Sequence, residues 1–179
     1  MYTMFGCIED AHHVFDKIHE RDVVLWNAML RTYARAGDCD ETLALYYEMQ
    51  KNGMLPDKFT FAFALKACMG LSSLEEGKEI HYHIREAGLE SDVYVGTALV
   101  NLYGKFGCLE NARAVFDRIS HRNVVAWTSM IAGFTENGLA YEALEHFQVV
   151  MWPCHPPMHA HQASLVHGHL LVLVPQMHL

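Results

Sequence analysis

The sequence predicts an all-α fold, a right-handed α-solenoid (superhelix) of stacked helix-turn-helix repeats. The stretch that begins at Gly6-Cys7 returns without a gap 101 residues later, beginning at Gly107-Cys108. Two further units of the same kind lie between these copies, at spacings of 35, 35 and 31 residues. Their starts are Val23, Lys58, Val93 and Val124. Fixed periods in this range indicate helical hairpins that stack and present one long binding face.

The first complete unit, residues 23–57, predicts a helix, a short turn and a second helix. Its first helix has apolar residues at i, i+3, i+4 and i+7, which is the spacing of one helix face. These residues are Trp26, Met29, Leu30 and Tyr33. We expect Gly37 to end the helix in a left-handed cap. Asn52-Gly53 and Pro56-Asp57 predict the turn that closes the unit.

The next units repeat this plan. Residues 58–92 predict a first helix around Thr60 to Cys68 and a second helix that a capping box opens at Ser73-Leu74-Glu75-Glu76. Residues 93–123 make a shorter unit, whose first helix we expect to end at Gly107. Residues 124–150 begin a further unit that stays incomplete.

The two ends of the chain depart from the complete pattern. Residues 1–22 predict the last part of a first helix, a break near Gly6, and a complete second helix from Ile8 to Ile18. After about residue 150 the apolar spacing fails and prolines oppose helix, so we expect 151–179 to be a disordered, His- and Pro-rich tail outside the repeats. Its histidines have no regular ligand spacing, so we expect no metal site there.

Composition and charge exclude several classes of function. The formal net charge of -8 argues against loose electrostatic attachment to nucleic acid or anionic membrane, so any RNA contact must be local and chemically specific. The apolar run from Leu170 to Val174 is too short to span a bilayer. Five cysteines without a close pair predict packing thiols in a reducing compartment. We expect no transit segment, because residue 1 already lies inside a repeat.

Signatures of enzymes are missing from the sequence. It has no phosphate-binding glycine loop and no nucleophile elbow. A zinc deaminase needs His-x-Glu followed by Pro-Cys-x-x-Cys, and Pro153-Cys154 continues instead as His155-Pro156-Pro157. We therefore expect no catalytic residues, no cofactor, no membrane partner and no small-molecule substrate.

Several motifs in one order resemble the pentatricopeptide repeat, over residues 1 to about 150. Val23-Val24-x-Trp26-Asn27 is followed by Ala36-Gly37, by Tyr46-x-x-Met49, and by Gly53-x-x-Pro56-Asp57. The spacings of 35, 35 and 31 resemble the plant subclass in which ordinary, long and short motifs alternate, with 58–92 as the long motif and 93–123 as the short one. The tetratricopeptide repeat has a period of 34, but its Trp-x-x-Leu-Gly-x-x-Tyr run is not found here.

The resemblance implies that single-stranded RNA lies along the concave face and that each repeat reads one base. It implies that the fifth and the last residue of each unit read the base. These pairs are Asn27 with Asp57, Ala62 with Asp92, and Thr97 with Asn123, and Asp22 and Thr128 belong to incomplete units. It also implies that the second residues pack against the base planes, namely Val24, Phe59, Tyr94 and Val125.

The residues themselves support these roles in part. Asn27, Thr97 and Thr128 have the same phase in successive first helices, so stacking aligns polar side chains whose hydrogen-bonding capacity we expect to be free for a base edge. The alternative is that Asn and Thr near a helix start simply cap or solvate it. Arg35 and Lys105 lie near the ends of first helices, where the resemblance implies phosphate contact. The alternative for both is a cation that complements the helix dipole, and Glu136 holds the same place in the last unit.

By the pairing rules of the family, Asn27 with Asp57 implies uridine and Thr97 with Asn123 implies adenosine. Ala62 offers no hydrogen bond, so we expect weak discrimination there, and Thr128 implies a purine. The resemblance further implies work in mitochondria or chloroplasts on RNA processing, commonly C-to-U editing, with editing-complex proteins as further partners. Two alternatives stay open, a protein-interaction scaffold, which the acidic charge and short array favour, and an inactive truncated fragment.

Overall fold

The computed structural model describes residues 2–139 and 141–144, with side chains from residue 8 onward. In this part of the chain the regular structure is helical. The helices are α1 Tyr2–Lys17, α2 Val23–Ala36, α3 Cys39–Lys51, α4 Lys58–Leu71, α5 Leu74–Glu86, α6 Val93–Lys105, α7 Leu109–Arg118 and α8 Val124–Glu136. The prediction of an all-α stack of helical hairpins is confirmed here. The predicted tail, 151–179, lies outside the described residues.

The helices form two layers. In the inner layer, α2, α4, α6 and α8 each contact the next member of the series. In the outer layer, α1, α3, α5 and α7 make no close backbone contact with one another and pack against inner helices instead, as far as the described helices go. Because inner helices lie closer together than outer ones, the stack curves around the inner layer, which lines the concave side.

Each inner helix begins at an Asp or Asn whose side chain caps it. Its oxygen accepts backbone N–H groups of the first helical turn at 2.8 to 3.1 Å. The capping residues are Asp22, Asp57, Asp92 and Asn123. Short acceptors are favoured here because the first amides of a helix have no partner within the helix.

The helix ends confirm two predictions, those at Gly37 and Gly107, and correct two others. Gly37 ends α2 with φ of +81°, in the predicted left-handed cap. The capping box predicted at Ser73 is wrong, because Ser72 takes a left-handed conformation, Ser73 donates its backbone N–H to Cys68, and its side chain makes no cap bond. The break predicted near Gly6 is also wrong, since Gly6 stays helical within α1, whereas Gly107 has φ of +71°.

The repeat of 101 residues produces the same contact twice. Phe15 packs edge-on against Trp26 with ring centroids 4.8 Å apart, and the Arg21 guanidinium lies 4.3 Å from the Phe15 centroid. The second copy has the same 4.8 Å ring separation and a cation distance of 4.9 Å. Its members are Phe116, Trp127 and Arg122. Each cluster joins an outer helix to the next inner helix through aromatic and cation–π contacts.

Among the described helices, none combines the length and apolar character that crossing a membrane requires.

Candidate nucleic-acid interface

A groove of about 700 Å³ lies on the concave side, over α2, α4 and the start of α6. It brings together six residues that the sequence singles out, which are Val24, Asn27, Arg35, Asp57, Phe59 and Tyr94. The remaining lining residues are Ala28, Arg31, Phe63 and Lys66. The predicted site residues from Thr97 onward lie further along the inner layer.

The groove is locally basic although the whole chain is acidic. Arg31, Arg35 and Lys66 line it together with a single carboxylate, Asp57. Sequence reasoning missed Arg31 and Lys66. The sequence did contain a signal for Arg31, because Asn27, Arg31 and Arg35 are spaced by four residues and therefore share one helix face.

Asn27 and Asp57, which are 30 residues apart in sequence, form a direct hydrogen bond at the groove. The Asn27 Nδ2 donates towards both carboxylate oxygens of Asp57, each at 3.0 Å. The hydroxyl of Thr60, which is fully buried, donates to the Asn27 Oδ1 at 2.7 Å. Asn27 keeps one N–H and one lone pair for a ligand. The pair is therefore held in one geometry across two repeats.

The Asp57 carboxylate is stabilised in its charged form. Partial burial alone would raise its pKa, but hydrogen bonds from the backbone of Thr60, the Asn27 amide and the Thr60 hydroxyl outweigh burial and lower the pKa below its ordinary value. At neutral pH Asp57 is therefore ionised and can only accept hydrogen bonds. The Asn27 atom that faces it must accordingly be the nitrogen.

The second predicted pair has a different geometry. Thr97 is only 9% exposed, and its hydroxyl donates to the Val93 carbonyl at 2.6 Å, so the expectation that its donor is free is wrong. Only its oxygen lone pairs remain. Asn123 is exposed and uses Oδ1 to cap α8, which leaves its Nδ2 free of the cap. In the described part of the chain, no hydrogen bond joins Thr97 to Asn123.

The remaining fifth and last residues are also involved in local structure. The exposed Thr128 donates its hydroxyl to the Val125 carbonyl at 2.9 Å, so its donor is not free either. Asp22 is exposed and caps α2. Asp92 caps α6 through one oxygen, and Ala62 offers no hydrogen bond to the other.

The four second residues are apolar side chains that remain exposed on the first turn of each inner helix. The exposed fractions are 70% for Val24, 44% for Phe59, 47% for Tyr94 and 59% for Val125. The rings of Phe59 and Tyr94 touch edge-on, with centroids 5.5 Å apart. Apolar and aromatic surfaces left open in a row provide platforms on which planar groups stack.

The predicted phosphate-binding residues differ in their environments. Arg35 is exposed and lines the groove. Lys105 is exposed, but its ammonium donates to the Met69 carbonyl at the end of α4. This contact fits the alternative stated above, a cation that complements a helix dipole. Lys66 similarly approaches the Ala34 carbonyl at the end of α2, at 3.5 Å. Glu136 is exposed and leaves the last position of the row acidic.

The two-layered stack of helical hairpins defines the chain as a helical-repeat protein. Residues 21–70 match the PPR repeat family, and residues 97–124 and 125–150 each match the PPR repeat. The chain belongs to the pentatricopeptide repeat family.

Similar curated proteins come from Arabidopsis thaliana. The pentatricopeptide repeat-containing protein CRR2, chloroplastic, is 42% identical over 155 residues, which cover 84% of this chain and 24% of that protein. The pentatricopeptide repeat-containing protein At4g25270, chloroplastic, is 41% identical over 153 residues, with coverage of 84% and 29%. The chain thus spans less than a third of either relative.

Proposed function

We propose that this chain is a sequence-specific module that binds single-stranded RNA along its concave side and has no catalytic domain of its own. The observation that supports this best is the Asn27–Asp57 pair, held at 3.0 Å in a groove lined by three cations. A structural role alone does not require an amide and a carboxylate to be ordered at a solvent-facing groove. A base edge requires that arrangement, because it is recognised by donors and acceptors in defined places.

The cations explain how an acidic chain binds a polyanion. Arg31, Arg35 and Lys66 meet the backbone phosphates, while the other acidic residues of the described ranges do not line the groove. The bases then stack on the exposed second residues, Val24, Phe59, Tyr94 and Val125. We assign phosphate contact mainly to the first two complete repeats, because Lys105, unlike Lys66, does not line the groove and Glu136 is acidic.

The base preferences follow the pairing rules of the family. Asn27 with Asp57 selects uridine, and Thr97 with Asn123 selects adenosine. Asp92 discriminates weakly because its partner is Ala62, and Thr128 accepts a purine. The base read at Asp22 is undetermined.

We further propose that the module works in an organelle, chloroplast or mitochondrion, in the selection of sites for RNA processing such as C-to-U editing. Two of the similar proteins carry the word chloroplastic in their names. Editing-complex proteins would then supply the chemistry. The alternation of ordinary, long and short motifs in the sequence supports this class of role.

The test compares two double variants with equal loss of charge. Arg31→Gln with Arg35→Gln removes two groove cations, and Lys51→Gln with Arg113→Gln removes two exposed cations elsewhere. Binding of single-stranded RNA decamers is measured by fluorescence anisotropy over a salt series. For two lost phosphate contacts, the slope of log K against log salt should fall by roughly 1 to 1.5 in the groove variant only. Equal effects of both variants, or no binding by the wild type, would favour the scaffold or the inactive fragment.

A further inference from the structure

We propose that Thr60 sharpens the base specificity of the preceding repeat, because its buried hydroxyl secures the orientation that the Asp57 carboxylate gives the Asn27 amide. The inference rests on the proposed RNA-binding function. Thr60 touches no base in this scheme and acts through Asn27, so it is a positioning residue. Its position is the third residue of the repeat 58–92, one repeat after the residue that it controls.

The contacts of the Thr60 hydroxyl show which acceptor receives its single proton. Its oxygen accepts the Asp57 backbone N–H at 3.2 Å. Its proton has two acceptors within reach, the Asn27 Oδ1 at 2.7 Å and the Asp57 Oδ1 at 3.0 Å. The Asp57 Oδ1 already accepts two backbone amides, those of Phe59 and Thr60, so the shorter bond to Asn27 is the favoured one.

The Asn27 amide is consequently held at both ends. Its nitrogen faces the Asp57 carboxylate and its oxygen faces the Thr60 hydroxyl. Turning the amide over would place its oxygen against the carboxylate and its NH2 group against the hydroxyl, which would keep only the longer contact to the Asp57 Oδ1. Two acceptors in contact repel, and exchanging the shorter hydrogen bond for the longer one is unfavourable.

The orientation matters because uracil and cytosine present opposite patterns. The Watson–Crick edge of uracil has a carbonyl acceptor beside the N3–H donor, whereas that of cytosine has an amino donor beside the N3 acceptor. A primary amide that turns freely presents its donor and acceptor in either order and therefore suits both bases. An amide fixed in one orientation suits only one of them. Holding Asn27 between Asp57 and Thr60 therefore converts a contact that suits either pyrimidine into selection of uridine.

Among the described repeats, this arrangement of Asn27, Asp57 and Thr60 occurs between one pair of neighbouring repeats. The residues that correspond to Thr60 at the start of the other inner helices are Leu25, Val95 and Ala126, which have no hydroxyl. A change at Thr60 should accordingly alter discrimination at one RNA position and leave the others unchanged.

The experiment uses the full chain at low salt and single-stranded RNA decamers in which uridine is replaced by cytidine at one position at a time. Anisotropy titrations compare wild type with Thr60→Val, which removes the hydroxyl at nearly constant shape, and Thr60→Ser, which keeps it. Thr42→Val is the matched control, because Thr42 is also fully buried and donates its hydroxyl to a backbone carbonyl, but lies on α3. Thermal unfolding of each variant monitors the fold.

At one position, wild type should prefer uridine over cytidine, and Thr60→Val should lower that ratio by about two- to tenfold, the range supplied by one net hydrogen bond. Thr60→Ser and Thr42→Val should keep the ratio of the wild type. An unchanged ratio in Thr60→Val, or equal weakening for both bases, overturns the inference and leaves the RNA-binding function standing. Failure of the wild type to bind any decamer overturns both. If Thr60→Val does not fold, Thr60→Ala removes the hydroxyl without added volume and decides the question.

Discussion

Replacing Asn123 with aspartate separates base reading from helix capping, because it changes the free group and keeps the cap. The Asn123 Oδ1 accepts the Ala126 N–H at 2.9 Å, and its Nδ2 is left for a ligand. Aspartate offers the same oxygen to Ala126 and a second, acceptor-only oxygen in place of the amide nitrogen. The negative charge at the start of α8 is favourable, so stability should change by less than about 1 kcal/mol.

The expected result is a shift of preference from adenosine towards guanosine at one base. The Watson–Crick edge of guanine has two adjacent N–H donors for a carboxylate, whereas adenine places an acceptor, N1, next to its amino donor. A mismatched base edge typically costs about 1–3 kcal/mol, or roughly five- to a hundredfold in affinity. Because the added charge also repels phosphate, the ratio between the two bases is the quantity to measure.

The assay titrates the chain against four decamers that differ at a single position, by fluorescence anisotropy. Asn111→Asp is the control, since Asn111 is exposed on the outer helix α7 and the substitution adds the same charge. The reasoning is refuted if wild type shows no preference for adenosine. It is also refuted if Asn123→Asp weakens binding to all four bases equally, because Asn123 would then serve only as a cap.

Three further predictions concern the fold. Asp22→Ala should lower the free energy of unfolding by about 1 kcal/mol, the usual value of a cap, and Asp57→Ala should lower it by more, since it also removes the acceptor of the Asn27 amide N–H; equal losses in urea titrations would contradict this. Gly104→Ala should destabilise by about 1–3 kcal/mol despite the better helix propensity of alanine, because the new Cβ would lie 3.1 Å from the Gly133 Cα, a backbone atom that has little room to move; an increase in Tm would refute it. Burial lowers the pKa of His81 more than its Glu90 neighbour raises it, so the unfolded chain takes up the proton first as pH falls. Stability should therefore fall as pH drops below about 6.5. His81→Gln should reduce the difference in Tm between pH 7.5 and pH 5.5, and an unchanged difference would exclude this role.

The sequence predicted the helices and the glycines that follow two of them well, because both depend on local pattern. Apolar spacing placed the inner helices, and the resemblance to the pentatricopeptide repeat paired Asn27 with Asp57. Gly37 and Gly107 take positive φ as a glycine after a helix commonly does. The errors at Ser73 and Gly6 arose where the neighbouring backbone, which periodicity does not describe, decides the conformation.

The chemistry of the site was less predictable, because it depends on contacts between repeats. The burial of Thr97 depends on how tightly α6 packs against its neighbours. The bond from Lys105 to Met69 spans 36 residues. Thr60 gave no functional signal of its own, since a threonine in a first turn ordinarily indicates a cap.

Two roles, helix capping and the proposed base reading, limit how the last residue of each repeat can evolve. Asp22, Asp57, Asp92 and Asn123 each begin an inner helix and cap it with a side-chain oxygen. A new base preference at that position must come from a residue that also starts a helix well, which restricts the choice essentially to Asp, Asn, Ser and Thr. Few residue types are therefore available for changing the RNA target, and each of them leaves the helical hairpin intact. At Asn123, whose side chain caps its own helix, a single substitution within this set should suffice, whereas at Asp57 the bonds to Asn27 and Thr60 would have to change with it.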